Sequence, residues 1–305
     1  MKKSMFCGIY LPRYRIDQAE GKELLPYVEQ TVIYAKNDGC QGVEMLPCGE
    51  LFSDHGPEYA KKVRELQEKE GVACSCYSYG ISYFPDPDYA MKQMKKSVDV
   101  AAELGSPFLH HTFQCTLSRE ELSADTTIYS NVEKLFVDFG KEIAYYAGEK
   151  GLSCIYEDQG FFVNTPERLG DLISKIDMPN TGVCLDIGNS LYYDILPEEY
   201  AGKFAKITKH VHVKDYIINE SGACPGKGWD CNITGKWLKN CIPGTGVVNM
   251  EKIFGILLSA GYDGFFSLEN QDCLVGLTDM YADIEIIKSY ENMQKAYDNA
   301  KASLR

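Results

Sequence analysis

The chain of 305 residues carries 31 Lys and Arg against 44 Asp and Glu, which gives a net charge of −13 at neutral pH. This balance argues against a nucleic-acid-binding protein, because phosphate contact needs a basic surface. With 45% hydrophobic and 25% charged residues, the composition is that of a globular protein, and no apolar run is long enough to span a membrane. The first apolar stretch, MFCGIYL, stops at Pro12. It is too short for a secretory signal, and we expect a cytoplasmic protein.

Twelve cysteines occur, but none of them forms a CxxC pair. The spacing therefore supports neither a zinc ribbon nor a thioredoxin-type motif. Several, such as Cys74, Cys154 and Cys184, lie inside apolar runs, where a reduced cysteine behaves as a small hydrophobic residue. We expect free thiols in a reducing compartment.

A unit recurs along the chain: an amphipathic helical stretch, a glycine and an apolar run. The glycine stands where a left-handed residue is expected to end a helix, and these glycines are Gly39, Gly71, Gly105, Gly151 and Gly261. The apolar runs predict eight strands, at residues 4–10, 42–46, 72–78, 107–113, 152–157, 182–187, 208–214 and 264–269. Helical patterns fall at residues 18–37, 57–70, 86–104, 118–149, 166–176, 197–206, 249–260 and 279–303.

The apolar runs are continuous more than alternating, which is typical of parallel strands covered on both faces. Eight such units predict a (β/α)8 TIM barrel that forms a single domain over residues 1–305. A doubly wound open sheet is the alternative, but no GxGxxG motif follows the first strand. Residues 217–246 are rich in Gly, Pro, Cys and Asn and contain Trp229 and Trp237. We expect them to form an ordered insertion after strand seven, over the C-terminal face of the barrel.

Strands five to eight each end in a metal-type ligand: Glu157, Asp186, His212 and Glu269. These strands are neighbours in a barrel, so the four side chains should converge at its C-terminal mouth. Three carboxylates and one imidazole suit a divalent ion, with Mn²⁺ first and Mg²⁺, Co²⁺ or Zn²⁺ as alternatives. About two positions of an octahedron would stay open for adjacent sugar oxygens. A Lewis acid there favours an enediolate, and flanking glutamates would move the proton.

The motifs behind these ligands form a recognisable series. They are Asp186–Ile187–Gly188–Asn189, His212–Val213–Lys214–Asp215, Gly244–Thr245–Gly246, and Gly261–Tyr262–Asp263–Gly264 through Leu268–Glu269. Together with Glu157, the series resembles the sugar phosphate isomerase/epimerase superfamily, xylose-isomerase-like barrels that include the ketose 3-epimerases. The resemblance covers nearly the whole chain. It implies that Glu157, Asp186, His212 and Glu269 bind the metal, and that Glu157 and Glu269 form the acid–base pair.

The chain departs from the ketose 3-epimerases in two places, the Trp-containing insertion and Asn189, where those enzymes commonly have a substrate-contacting His. We expect Asn189 to contact substrate. Further candidates have a structural alternative of similar weight: Lys214 as a partner of an anionic intermediate or of a carboxylate, Glu44 as a partner of a sugar hydroxyl, and Trp229 as a stacking platform or part of the insertion's own core. One of His110 and His111 should face the site. We favour His111 slightly, and we place His210 in the core.

The first functional hypothesis is a metal-dependent isomerase or epimerase of a free sugar or polyol derivative. The alternative is a lyase that uses the same site, either a dehydratase or an enzyme that cleaves the bond to the aglycone of a 3-keto-glycoside. An abasic-site endonuclease needs several zinc ions and more than the five histidines present, and a non-catalytic binding protein does not explain the complete ligand set. Barrels of this kind often pair, so we expect a homo-oligomer.

Overall fold

A computed structural model describes residues 1–114, 126–159, 165–220, 222–269 and 283–304. The strands are β1 (Lys2–Phe6), β2 (Gly42–Met45), β3 (Ala73–Ser82), β4 (Phe108–Gln114), β5 (Ser153–Tyr156), β6 (Thr181–Asp186), β7 (Thr208–Val213), β8 (Asp215–Asn219), β9 (Asp230–Cys231), β10 (Trp237–Cys241) and β11 (Phe265–Leu268). Eight of them, all parallel, close into a barrel in the order β1–β11–β7–β6–β5–β4–β3–β2. The predicted (β/α)8 TIM barrel is therefore confirmed, and the open doubly wound sheet is not.

Helices surround the barrel on its outer side. They are α1 (Leu11–Ala19), α2 (Tyr27–Asn37), α3 (Gly56–Glu70), α4 (Pro87–Glu103), α5 (Thr126–Glu149), α6 (Pro166–Ile176), α7 (Pro197–Phe204), α8 (Met250–Ser259) and α9 (Asp283–Ser303). Among the helices described, none combines the length and the hydropathy that crossing a bilayer requires. The predicted starts of α5 at residue 118 and of α9 at residue 279 lie outside the described residues.

Two predicted elements near the N-terminus differ from the structure. The strand expected over residues 4–10 ends at Phe6, and Cys7–Tyr10 form a 3₁₀ turn. Pro12 explains this change, because proline is favoured in the first turn of a helix and α1 starts beside it. The helix expected over residues 18–37 is two helices, since Gly21 takes a left-handed conformation (φ +73°) and Pro26 precedes α2.

The helix ends follow local sequence signals. The five glycines predicted to end helices all have positive φ, from +70° to +88°. Side-chain caps start three helices: Asp86 accepts a hydrogen bond from the Tyr89 N–H, Thr165 accepts one from Arg168, and Asn249 accepts one from Lys252. These local signals explain why the alternation of strands and helices can be predicted from the sequence alone.

The inside of the barrel holds buried polar side chains around a small apolar layer. Cys76, Ile155 and Cys184 pack together there, and the Ser4 and Ser75 hydroxyls lie 2.6 Å apart. Ten cysteines are free thiols, most of them buried, as predicted, while Cys115 and Cys273 lie outside the described residues. Burial raises the pKa of the Cys154 thiol to about 12, which keeps it a neutral packing group.

The segment predicted as an insertion contains a small antiparallel sheet in the order β8–β10–β9. It contacts the 3₁₀ turn after β6: the Asn232 amide donates to the Leu191 carbonyl over 3.1 Å, and the Ile233 N–H donates to the Tyr192 carbonyl over 3.1 Å. The insertion therefore lies beside the C-terminal end of β6.

One carboxylate holds the two ends of the insertion together. Asp215, at the start of β8, accepts hydrogen bonds from the N–H groups of Gly244, Gly246 and Val248 at 2.8–2.9 Å. Gly246 lies so close that a Cβ atom there would be 2.3 Å from the Tyr216 carbonyl oxygen. Asp215 of the HVKD motif and the two glycines of the GTG motif thus form one hydrogen-bonded clamp.

Candidate metal centre

Four strand-end side chains meet at the C-terminal mouth of the barrel. They are Glu157, Asp186, His212 and Glu269, which we call the four-residue cluster. One ligand atom from each lies within 4.8 Å of the other three, and all four residues are at most 6% exposed. Their convergence was predicted only because neighbouring barrel strands end at the same face. In the structure, the parallel register of β6 and β7 places Asp186 directly beside His212.

His212 occupies the centre of the four-residue cluster. Its Nδ1 lies 2.9 Å from Glu157 Oε1, 2.9 Å from Glu269 Oε2 and 4.0 Å from Asp186 Oδ2. The strands that carry the two glutamates, β5 and β11, stand on either side of the pair β6 and β7. The glutamates therefore approach the imidazole from different directions along the barrel wall.

The loop after β6 aims Asp186. The Gly188 and Asn189 N–H groups donate to Asp186 Oδ1 over 2.7 and 2.8 Å, which is the Asx-type turn that an aspartate at this position favours. The turn fixes Oδ1 and leaves Oδ2 facing the cluster. This local bond explains the Asp-x-Gly-Asn motif.

The cluster fits one divalent ion. With metal–oxygen bonds of about 2.1 Å, opposite ligands of an octahedron lie about 4.2 Å apart, close to the spread of these four atoms. Asp186 Oδ2 and Glu269 Oε2 are buried without a well-directed hydrogen bond, although Lys214 and His212 lie within ion-pair distance of them. Buried carboxylate oxygens left in this way are typical of a site that receives a cation.

Lys214 and Asn189 border the cluster. The Lys214 ammonium lies 2.8 Å from Asp186 Oδ2 and 3.2 Å from Glu269 Oε1, and it donates to Asn189 Oδ1 over 3.2 Å. The Asn189 amide donates in turn to Glu157 Oε1 over 3.2 Å. Both predicted substrate contacts thus lie beside the cluster.

The electrostatics of the cluster follow from burying several charges together. Burial raises the pKa of Asp186 to about 6, although the Lys214 ammonium opposes that rise. Burial would lower the pKa of His212, but Cys184 and the carboxylates of Glu44, Glu269 and Glu157 outweigh it and raise that pKa well above its usual value. The carboxylates around this one imidazole carry an excess of negative charge, which a bound cation would neutralise.

Glu44 lies deeper in the barrel than the predicted contact with a sugar hydroxyl requires. It is fully buried, and its carboxylate is 2.9 Å from His212 Nε2 and 2.8 Å from His210 Nε2. His210 is the buried, hydrogen-bonded core residue that the sequence predicted. Glu44 therefore contacts the far side of the imidazole ring of His212.

The structure brings His110 to the cluster and does not bring His111. His110 Nε2 is 3.5 Å from Glu157 Oε2, whereas His111 packs edge-on against Tyr156 and bonds to the Tyr83 hydroxyl over 3.2 Å. Burial lowers the pKa of His111 to about 3, so its ring is neutral. One histidine of the pair faces the site, as expected, but it is the residue that the sequence reasoning did not prefer.

Trp229 is a half-buried residue of the insertion, and among the described residues no hydrogen bond or ring contact joins it to the cluster. The other tryptophan, Trp237, donates from Nε1 to the Gly222 carbonyl over 3.0 Å, which is a contact within the insertion.

Two buried polar residues near the site were missed from the sequence. Ser78 donates to Glu44 and lies 3.0 Å from His110 Nδ1. Asp158 is 1% exposed, and burial together with Asp186 and Glu157 raises its pKa well above the usual range. Asp158 directly follows Glu157, and this pair of acidic residues at the end of β5 could have indicated that Asp158 lies near the site.

Comparisons with known proteins agree with the fold. The sequence profile of the xylose isomerase-like TIM barrel family matches residues 32–290. An inosose dehydratase of Histophilus somni is 24% identical over 74% of this chain and 80% of its own length. The chain spans only about half the length of other curated relatives of the same name, 46% and 48% for two of them.

Two solved structures share the fold. A D-tagatose 3-epimerase-like protein superposes with a TM-score of 0.70 at 18% identity and covers 100% of both chains. The IolI protein, solved with a bound zinc atom, superposes with a TM-score of 0.68 at 14% identity over 98% of this chain and 99% of its own. Because the family profile covers most of the sequence and the barrel closes as that family requires, this chain belongs to the xylose isomerase-like TIM barrel family.

Proposed function

We propose that this protein is a divalent-metal-dependent sugar isomerase or epimerase that removes a proton from the carbon next to a carbonyl. The observation that carries the proposal is the four-residue cluster, in which Glu157 and Glu269 reach the same imidazole from different strands at 2.9 Å. Removing a proton and returning one requires a general base and a general acid, and two carboxylates at one buried centre can fill these two roles. The epimerase-like structural neighbour supports this proposal.

The residues that would hold the metal are Glu157, Asp186, His212 and Glu269. When bound, a divalent ion would act as a Lewis acid that makes the C–H bond next to a carbonyl more acidic. Mn²⁺ is our first choice because the donor set is oxygen-rich with one nitrogen, and Mg²⁺, Co²⁺ and Zn²⁺ are the alternatives. The zinc atom in the IolI structure supports a divalent ion in this fold.

The side chains around the cluster divide the remaining work. One glutamate, as a carboxylate, removes the proton to give an enediolate, and the other, as the neutral acid, gives its proton to the opposite face of the same carbon. Proton exchange with solvent then restores both glutamates. The Lys214 ammonium, 2% exposed, lies where developing negative charge on a substrate oxygen would be stabilised in a dry environment. Asn189 links Lys214 to Glu157 and would hold both in place.

The second candidate is a lyase, and the names of the curated relatives favour it, since those are inosose dehydratases. The enediolate can expel a β-substituent instead of being reprotonated, which removes water from a keto-polyol or releases the aglycone of a 3-keto-glycoside. The first step and its residues are the same. The substrate class is in both cases a small sugar or polyol derivative.

Nuclear magnetic resonance in D₂O distinguishes the two reactions. The metal-reconstituted enzyme would be tested with a panel of ketoses, inososes and 3-keto-glycosides. Deuterium at an inverted carbon supports epimerisation, and a new double bond or a released aglycone supports elimination. If the panel shows neither solvent exchange nor product while the protein holds metal, the proposal is wrong.

Metal analysis with matched variants tests the ligand assignment. We expect Glu157→Gln and Glu269→Gln to lose bound metal and activity together. Glu65→Gln, on the exposed face of α3, serves as control. Full metal content and full activity in both ligand variants would contradict the assignment. Light scattering of the wild type would test the predicted homo-oligomer.

A further inference from the structure

Glu44 is a fully buried carboxylate whose partners all lie inside the barrel. Its Oε1 is 2.9 Å from His212 Nε2 and also accepts a hydrogen bond from the Ser78 hydroxyl, and its Oε2 is 2.8 Å from His210 Nε2. A buried carboxylate with three polar partners is held in one position, because any rotation would break hydrogen bonds in a place that water cannot reach.

The two nitrogens of His212 point to different tasks. Nδ1 faces the four-residue cluster, and Nε2 faces Glu44. In a neutral imidazole one nitrogen carries the proton and the other offers its lone pair. In the neutral form that binds a metal, a proton on Nε2 that is donated to Glu44 leaves Nδ1 to present its lone pair to the cluster.

Aromatic neighbours fix the plane of the same ring. Phe6 packs edge-on against His212 with ring centroids 5.7 Å apart and an angle of 89°, and His110 does so at 5.1 Å and 81°. The ring is thus held on its sides by these contacts and at its far edge by Glu44. Flipping the ring would put carbon atoms against Glu44 and against the cluster.

We propose that Glu44 is a positioning residue: its carboxylate holds the Nε2–H tautomer of His212 and so aims Nδ1 at the metal in the four-residue cluster. The inference rests on the metal site of the proposed function and replaces the predicted contact with a sugar hydroxyl. An outer carboxylate that orients a ligand histidine strengthens metal binding in general, and its loss typically weakens binding by about 10- to 100-fold.

A chain of close polar contacts links Glu44 to Glu157, a second proposed ligand. Ser78, which donates to Glu44, lies 3.0 Å from His110 Nδ1, and His110 Nε2 is 3.5 Å from Glu157 Oε2. Because His212 Nδ1 contacts Glu157 as well, these five side chains form a closed ring. Glu44 thereby supports two ligands, one directly and one through Ser78 and His110.

The test measures metal binding, not turnover alone. Glu44→Leu removes the acceptor, and Glu44→Gln keeps an acceptor oxygen but removes the charge. Ser75→Ala is the control, because it deletes a buried hydrogen bond of the barrel interior with Ser4 without contacting the cluster. Each metal-free protein is checked for folding by circular dichroism, and the dissociation constant for Mn²⁺ or Co²⁺ is measured by competition with a chelator.

We expect Glu44→Leu to weaken metal binding by about 10- to 100-fold, Glu44→Gln to weaken it by a smaller factor, and Ser75→Ala to leave it unchanged. In ¹⁵N-histidine spectra of the wild type loaded with diamagnetic Zn²⁺, His212 should show a protonated Nε2, and this signal should be lost in Glu44→Leu. If Glu44→Leu fails to fold, Glu44→Gln and the wild-type spectrum decide.

The outcomes separate this inference from the proposed function. Wild-type affinity in the folded Glu44 variants, or a His212 that carries its proton on Nδ1, overturns the positioning role while leaving the metal site intact. A wild type that binds no divalent ion, or a Glu157→Gln variant that binds as well as the wild type, overturns the proposed metal site itself.

Discussion

The Lys214 ammonium lies 2.8 Å from Asp186 Oδ2, and both side chains are at most 2% exposed. A buried ammonium among carboxylates favours their charged forms, and it opposes the burial that raises the pKa of Asp186 to about 6. Lys214 therefore keeps a proposed ligand ionised while standing next to the place where substrate oxygens would bind.

We expect Lys214→Met to lower kcat by about 10²- to 10³-fold, because a preorganised charge at developing negative charge is worth that much in buried sites. Bound metal should remain at or near one equivalent above pH 7, since the four ligands are unchanged. Steady-state kinetics and metal analysis would check both results. Lys206→Met, an exposed lysine before β7, is the control, and equal kcat values for the two variants would contradict the role.

The two adjacent histidines of β4 should respond differently to substitution. His110→Asn removes a side chain next to Glu157, and we expect kcat/KM to fall by at least about tenfold, or about 1.4 kcal/mol. His111→Phe leaves the Tyr83 hydroxyl without its partner, so it should destabilise the fold by about 1–3 kcal/mol and keep kcat within about twofold. Urea denaturation and steady-state kinetics separate the two effects. The reverse pattern would show that His111 serves the site.

Gly246 at the end of the insertion and Gly255 in α8 provide a matched pair of Gly→Ala changes. A Cβ at Gly246 would clash with the Tyr216 carbonyl and Asp215, whereas Gly255 in α8 has nothing within 4 Å. Gly246→Ala should open the insertion to limited proteolysis and lower stability. Gly255→Ala should raise the free energy of unfolding by about 0.5–1 kcal/mol, since alanine is the better helix former. Equal protease resistance in both variants would contradict the clamp at Asp215.

Asp17 should make stability depend on pH in the acid range. Burial works against its charge, but Lys22 at 2.5 Å and the Tyr34 hydroxyl at 2.5 Å outweigh it and lower its pKa. A lowered folded-state pKa adds stability that is complete above the unfolded value of about 3.9 and is lost as pH falls through the folded value.

Asp17→Asn should therefore cost about 1–2 kcal/mol at pH 7, and the difference from wild type should shrink below about pH 4. Urea denaturation at pH 7, 5, 4 and 3 measures this. Asp263→Asn, with a side chain that is 96% exposed, should change little at any pH. A difference that grows on acidification would show that the sign is wrong.

Local patterns in the sequence were sufficient for the eight barrel strands except the end of β1, for the helix-ending glycines and for the convergence of the four strand-end side chains, because each depends on one segment and on the parallel order of a barrel. The depth of Glu44 was not readable. A register shift between Val43 and Glu44 on β2 pairs Glu44 with Cys76 of β3, and such irregularities leave no mark in a single sequence. Which of His110 and His111 lies beside the cluster was not readable for a related reason, since alternation says that adjacent residues face opposite ways but not which one faces inward.

The clamp at Asp215 has a consequence for how this barrel can change. Asp215 follows His212 by three residues and ties both ends of the insertion to the end of β7 through the N–H groups of Gly244, Gly246 and Val248. The chain between the two clamped ends can vary in length and composition without displacing His212 on β7. The four-residue cluster and the insertion can therefore diverge independently in sequence.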